Sequence, residues 1–158
     1  VSSIYEDMKL VGPSHIALST PCDLVENVQE EVREFVPYLI RTMRRGDGMS
    51  ISAPQIGISK AVFITNVIGD HIRIFINPSI KETSSKEIMS GEGCLTFPRR
   101  RIRRQRKRHV ILHALNLKEE QFFIDTRYKI YSPQTSALLA VVLQHEMDHI
   151  NGVDFRQS

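Results

Sequence analysis

The segment from Ser132 to Gly152 constrains the fold more than any other part of the chain. Ser132-Pro133 reads as an N-cap followed by proline at the first helical position, and Asn151-Gly152 reads as a stop. A helix is therefore expected over about Pro133 to Ile150. Its stripe holds Leu138, Val141, Val142, His145 and His149, so apolar residues and two imidazoles share one face. Within it, His145-Glu146-Met147-Asp148-His149 sets the two histidines one turn apart, able to chelate one metal, with Glu146 beside them as a base toward water. The plain alternative is a helix carrying two core or surface histidines. The apolar stripe, the preceding Gln144 and the stop at Gly152 weigh against it, because imidazoles on a buried face need partners and a metal supplies one to both.

Two histidines leave a catalytic ion short of a third protein ligand. Cys94 is the candidate. It sits in Gly91-Glu92-Gly93-Cys94-Leu95-Thr96-Phe97-Pro98, where flanking glycines would let the backbone come close to another element and the thiol is a soft ligand. A lone cysteine is otherwise a small buried hydrophobe, and Cys22 keeps that reading. A third segment, Gly48-Met49-Ser50-Ile51-Ser52-Ala53-Pro54-Gln55-Ile56-Gly57, reads by itself as a loop entering a strand. Its small residues would also let a peptide lie against the backbone, and Gln55 could donate to a developing oxyanion. Asp148 either orients a ligand or is a solvated helix acid.

The chain of 158 residues is long enough for one domain and too short for two, and no repeat or linker divides it. Asp23 can cap an N-terminal helix whose apolar positions are Leu24, Val28, Val32, Phe35, Leu39 and Met43, with Pro37 imposing a kink or a late helix start. Lys60 to Val67, His71 to Ile76, His109 to Leu117 and Gln121 to Tyr128 read as strands, with Gly69-Asp70 as a tight turn.

The longest clean apolar run, Ala137 to Leu143, is far below the roughly 20 residues a membrane-spanning helix needs. The start, Val1 to Asp7, carries neither signal-peptide nor transit-peptide features. Two cysteines cannot build a disulfide framework, so a cytoplasmic location is expected. Residues 99–108 hold eight of the 21 basic residues and no acid, leaving 13 basic against 18 acidic elsewhere, a net of −5. Such a segment is either a docking surface for an anionic partner such as ribosomal RNA or a solvated strand or loop whose arginines pair with the chain's own acids.

Taken together, Gly48 to Gln55, Glu92 to Thr96 and Gln144 to His149 resemble the three signature motifs of the peptide deformylase family: Gly-x-Gly-(Leu)-Ala-Ala-Pro-Gln, Glu-Gly-Cys-Leu-Ser and Gln-His-Glu-x-Asp-His. Phe75-Ile76-Asn77-Pro78-Ser79-Ile80 is similar to the strand-end Asn-Pro of that family, so the likeness runs through most of the chain. Three positions depart from the pattern. Ser50 replaces the second glycine, Ser52 replaces the first paired alanine, and Thr96 stands for serine. The chain also stops at Ser158, before the C-terminal helix of many bacterial members.

The resemblance implies an α+β fold, with antiparallel β-sheets wrapped around a central metal-binding helix and an N-terminal helix, in one catalytic domain over residues 1–158. It implies that Cys94, His145 and His149 bind one divalent ion, Fe2+ being native and Zn2+ or another ion possible. Glu146 is then base and acid, Gln55 and the Leu95 N–H hold the formyl oxygen, and N-formylmethionyl nascent peptides are the substrates. Gly48, Met49 and Ser50 would meet the peptide backbone, and Leu138, Val141 and Val142 would line the methionine pocket. Two rivals stand beside this reading. A zinc peptidase shares the histidine pair but would take a third histidine or an acid as ligand, and no His-x-x-Gly-x-x-His extension follows. An RNA-binding module built on the arginine run would lack an aromatic platform for bases.

Overall fold

The computed structural model describes residues 4–128 and 131–157. Val1 to Ser3, on which the reading of a missing leader partly rests, and Ser158 lie outside the described residues. The helices are α1 (Val28–Glu31), α2 (Val36–Arg45) and α3 (Pro133–Ile150). The strands are β1 (Ser50–Ser52), β2 (Val62–Thr65), β3 (Arg73–Thr83), β4 (Glu87–Cys94), β5 (Phe97–Lys107), β6 (Val110–Leu115) and β7 (Gln121–Asp125). Short 3-10 turns occupy Ile16–Ser19 and Ala53–Ile56. One antiparallel sheet has the order β1-β2-β3-β6-β7, and β4 and β5 form a separate antiparallel pair. This is the expected α+β arrangement around α3.

The five-stranded sheet is covered on both faces. Phe63, Phe75, Leu112 and Ile124 pack with Leu139, Leu143, Met147 and Ile150 of α3. On the other face Val62, Ile64 and Ile76 pack with Val28, Val32, Phe35, Leu39 and Met43. A strand buried on both sides needs no polar alternation, which is why Val62 to Thr65 is apolar nearly throughout and buried at every position. Helix α3 is itself buried on most sides, so its apolar residues extend well beyond the single stripe expected.

Several boundaries differ from expectation. The N-terminal helix is two pieces: Asn27, not Asp23, caps α1, and Pro37 falls in the first turn of α2, where its missing N–H costs nothing. Leu24 is 68% exposed and outside the core, because the chain there is extended, with Asp23 bridged to Lys60. Strand β3 continues past Asn77-Pro78 instead of ending there. The register shifts at that point, Asn77 adopts a φ of 51°, and its side chain accepts from Val25 N at 2.8 Å and donates to Val25 O at 2.9 Å. The proline is tolerated because it sits in this irregularity. Strands β1, β4 and β5 had no clear sequence signal. The α3 caps stand as expected: Ser132 Oγ accepts from Thr135 N, and Gly152 has a φ of 73°. A Cβ on Gly152 would lie 2.6 Å from the backbone of Thr20 and Pro21, so only glycine lets α3 end there.

Candidate metal centre

Three elements converge. Helix α3 carries His145, Glu146 and His149, the β4–β5 hairpin carries Cys94, and β1 with its following 3-10 turn carries Ser50, Ser52 and Gln55. The ligand atoms of Cys94, His145 and His149 lie within 4.8 Å of one another, and all three residues are buried. Cys94 is the last residue of β4, paired with Phe97 across the two-residue turn Leu95-Thr96. A close approach accounts for the glycine of the first motif: a Cβ on Gly48 would sit 2.8 Å from Leu95 Cδ1. The glycines around Cys94 do not serve that purpose, since a Cβ on Gly91 meets nothing within 4 Å; both Gly91 and Gly93 line the cavity instead.

The second layer was mostly hidden in the sequence. Glu92 is 5% exposed; its Oε1 lies 3.1 Å from His145 Nδ1, and Arg106 donates to both its oxygens at 2.8 Å. Arg106 also donates to Asp148 Oδ2 at 2.8 Å, so Asp148 is a partner of this network and not a free helix acid. Holding His145 at Nδ1 leaves Nε2 as its ligand atom. The signal for Glu92 was its place at the head of the Glu92 to Thr96 motif, two residues before Cys94, and for Arg106 there was none within a run of like residues. Gln55 is fixed by a Ser52-x-x-Gln55 capping box, a pattern readable in the sequence: Ser52 N donates to its Oε1 at 2.9 Å. Its Nε2 is thereby turned toward Cys94 Sγ at 3.5 Å and Thr96 Oγ1 at 3.2 Å.

The electrostatics fit a cation. Burial opposes charge on Glu92, but the hydrogen bonds from Arg106, His145 and Ser90 outweigh it and hold the carboxyl well below its usual range. Burial likewise opposes charge on His145, yet Cys94, Glu92 and Glu146 carry it up to about 10, a measure of the negative potential at the centre. His149 is pushed down to about 3, by burial and then by His145, so it is a neutral ligand. Glu146 is raised to about 7 by burial, against the pull of His145, Ser50 and Ser52. One soft thiol and two imidazoles suit a divalent transition ion. His149 Nδ1 and Glu146 Oε2 are buried with no hydrogen-bond partner among the described residues.

Beside the ligands opens a cavity of about 310 Å³. Gly48, Met49, Ser50, Gln55, Leu95, Leu138, Val141, Val142 and Glu146 all line it, so the residues singled out in the sequence do come together. Cys22 lies elsewhere, half-buried, its thiol raised to about 12 by burial and then by Asp23. The arginine segment lies on β5, with Arg108 just past its end, and it is not a uniform basic surface. Arg104 and Arg106 are buried, Arg104 donating to Phe155 O, while Arg99, Arg100, Arg101, Arg103 and Arg108 are exposed.

Comparison with known proteins follows this geometry. The family model described as polypeptide deformylase matches residues 8–157. The chain is 36% identical over 131 residues to a peptide deformylase of Natranaerobius thermophilus, covering 83% of this chain and 78% of that one. It is 37% identical over 138 residues to one of Clostridium botulinum, covering 87% and 86%. A crystal structure of a peptide deformylase from Synechococcus elongatus in complex with actinonin superposes with a TM-score of 0.82 at 26% identity, covering 96% and 78%.

Proposed function

The chain belongs to the polypeptide deformylase family; it is a hydrolase that removes the formyl group from the N-terminal formylmethionine of nascent polypeptides, and we propose that it does so at Cys94, His145 and His149 with Glu146 as proton carrier. The observation that carries this assignment is the meeting of one thiol and two imidazoles, within 4.8 Å, beside a carboxylate that is 1% exposed. Cys94, His145 and His149 would hold the ion. A divalent ion there supplies Lewis acidity and lets water ionise near neutral pH.

Glu146 takes a proton from the attacking water as its oxygen bonds to the formyl carbon. Gln55 Nε2 and the Leu95 N–H donate to the formyl oxygen as negative charge grows on it, each such donor being worth about 2.7–4 kcal/mol of barrier. The carbon–nitrogen bond then breaks, and Glu146 passes its proton to the leaving nitrogen, giving formate and a free amine. Leu138, Val141 and Val142 receive the methionine side chain, while Gly48, Met49 and Ser50 border the peptide backbone. A peptidase of the zinc type is disfavoured by the cysteine in the ligand set.

The ion we assign is Fe2+, with Zn2+ an acceptable substitute for this sulfur and nitrogen donor set. Residues 1–158 act as one catalytic unit. No helix among the described residues is long and apolar enough to cross a membrane, and we place the enzyme in the cytoplasm, where its substrates are made. Contact with the ribosome, expected through Arg99 to Arg108, is assigned to the exposed residues Arg99, Arg100, Arg103 and Arg108; Arg101, tied to Gly91 O, and the buried Arg104 and Arg106 are removed from that surface. Formate release from formyl-Met peptides by the parent enzyme and by Glu146→Gln tests the assignment.

A further inference from the structure

Ser50 stands where the resembled motif has glycine, and the strand it belongs to decides where its hydroxyl goes. Alternation along β1 sends Ile51 into the α2 core and turns Ser50 and Ser52 toward α3. Ser52 Oγ donates to Gln55 Oε1 at 3.2 Å and adds a weaker pull on the Glu146 carboxyl. Ser50 Oγ instead donates to Glu146 Oε1 at 3.0 Å, across 96 residues of sequence. The other oxygen, Oε2, is buried with no hydrogen-bond partner among the described residues. A carboxyl group otherwise rotates broadly about its terminal torsion, so a donor mounted on a paired strand restricts that rotation, and Ser50 is in register with Thr65 of β2.

We propose that Ser50 is a positioning residue for deformylation: its hydroxyl pins Glu146 Oε1, the oxygen 3.8 Å from His145 Nε2, and thereby fixes the carboxylate beside the ligand atoms. The inference rests on the reading of Glu146 as the proton carrier. Because Ser50 also borders the cavity, a rival role is direct contact with the peptide, which would act on KM. Ser50→Ala and Ser50→Gly remove the donor, while Ser50→Thr keeps it.

The experiment measures kcat and KM on a short formyl-Met peptide with metal-loaded protein, the metal content, and the infrared carboxyl band of metal-free protein, identified as the band lost in Glu146→Gln. Ser50→Ala and Ser50→Gly should lower kcat about tenfold, as loss of a hydrogen bond to a charged group predicts. KM and metal content should hold, the Glu146 band should shift, and Ser50→Thr should restore both rate and band. A change in KM alone, or an unmoved Glu146 band with unchanged kcat, overturns the proposal while Glu146 remains the proton carrier. Full activity in Glu146→Gln would instead overturn the reading on which the proposal rests.

Discussion

Glu92 Oε1 lies 3.1 Å from His145 Nδ1, and Arg106 clamps the same carboxylate from the far side. A metal ligand is thus oriented by an acid from the hairpin that supplies the thiol, and that acid is neutralised by an arginine 14 residues further on, on the paired strand β5. Ligand set and hairpin therefore stand or fall together.

Removing the acid tests this coupling. Glu92→Gln should lower metal affinity about 10–100-fold, the usual consequence of losing an outer partner of a ligating histidine, while leaving the three ligands in place. Metal retention during dialysis against a graded chelator measures it; unchanged retention would show that His145 is oriented without Glu92.

Arg106→Gln should destabilise the protein by about 3 kcal/mol at neutral pH, because it strips the buried Glu92 of its guanidinium and leaves it only His145 and Ser90. Glu92 has a folded pKa below its ordinary value of 4.5, so its contribution to stability is present above about pH 4.5 and fades as pH falls through the folded value. The gap between parent and variant, measured by urea unfolding of metal-free protein, should accordingly be widest near pH 7 and narrow in acid. A gap that widens in acid contradicts the ion-pair account.

Cys94→Ser should lose metal and activity together, while Cys22→Ser loses neither, since the Cys22 thiol is held protonated by burial and by Asp23. Metal content by mass spectrometry decides between them, and equal loss in both would mean the site is not the one described.

Much of this centre was legible beforehand. The histidine pair, Glu146 and the caps of α3 follow from helical spacing and from Ser132-Pro133 and Gly152, which act locally. The strands were half legible: β2, β6 and β7 carry β-branched or aromatic residues, whereas β1, β4 and β5 are short of apolar residues and exist because of what they pair with, β1 with β2 and β4 with β5. Arg106 could not be told from its seven basic neighbours, because what distinguishes it is the buried pair Glu92 and Asp148, not its own sequence context. Leu24 fitted a helical spacing that the chain abandons between Asp23 and Asn27.

The docking role of β5 makes a salt-dependent prediction. Replacing Arg99, Arg100, Arg103 and Arg108 by glutamine should abolish ribosome co-sedimentation that the parent shows at low salt and loses steeply toward physiological salt, with activity on short formyl peptides retained. Salt-insensitive sedimentation, or none by the parent, leaves β5 as a solvated strand.

The measurement closest to the central claim pairs metal content with formate release for Glu146→Gln. Its three ligands are untouched, so the variant should hold as much metal as the parent, while turnover of a formyl-Met peptide falls by about 10²–10⁴-fold or more, the range for loss of a general base. Near-normal formate release from the metal-bound variant would contradict the assignment of Glu146, and with it the mechanism.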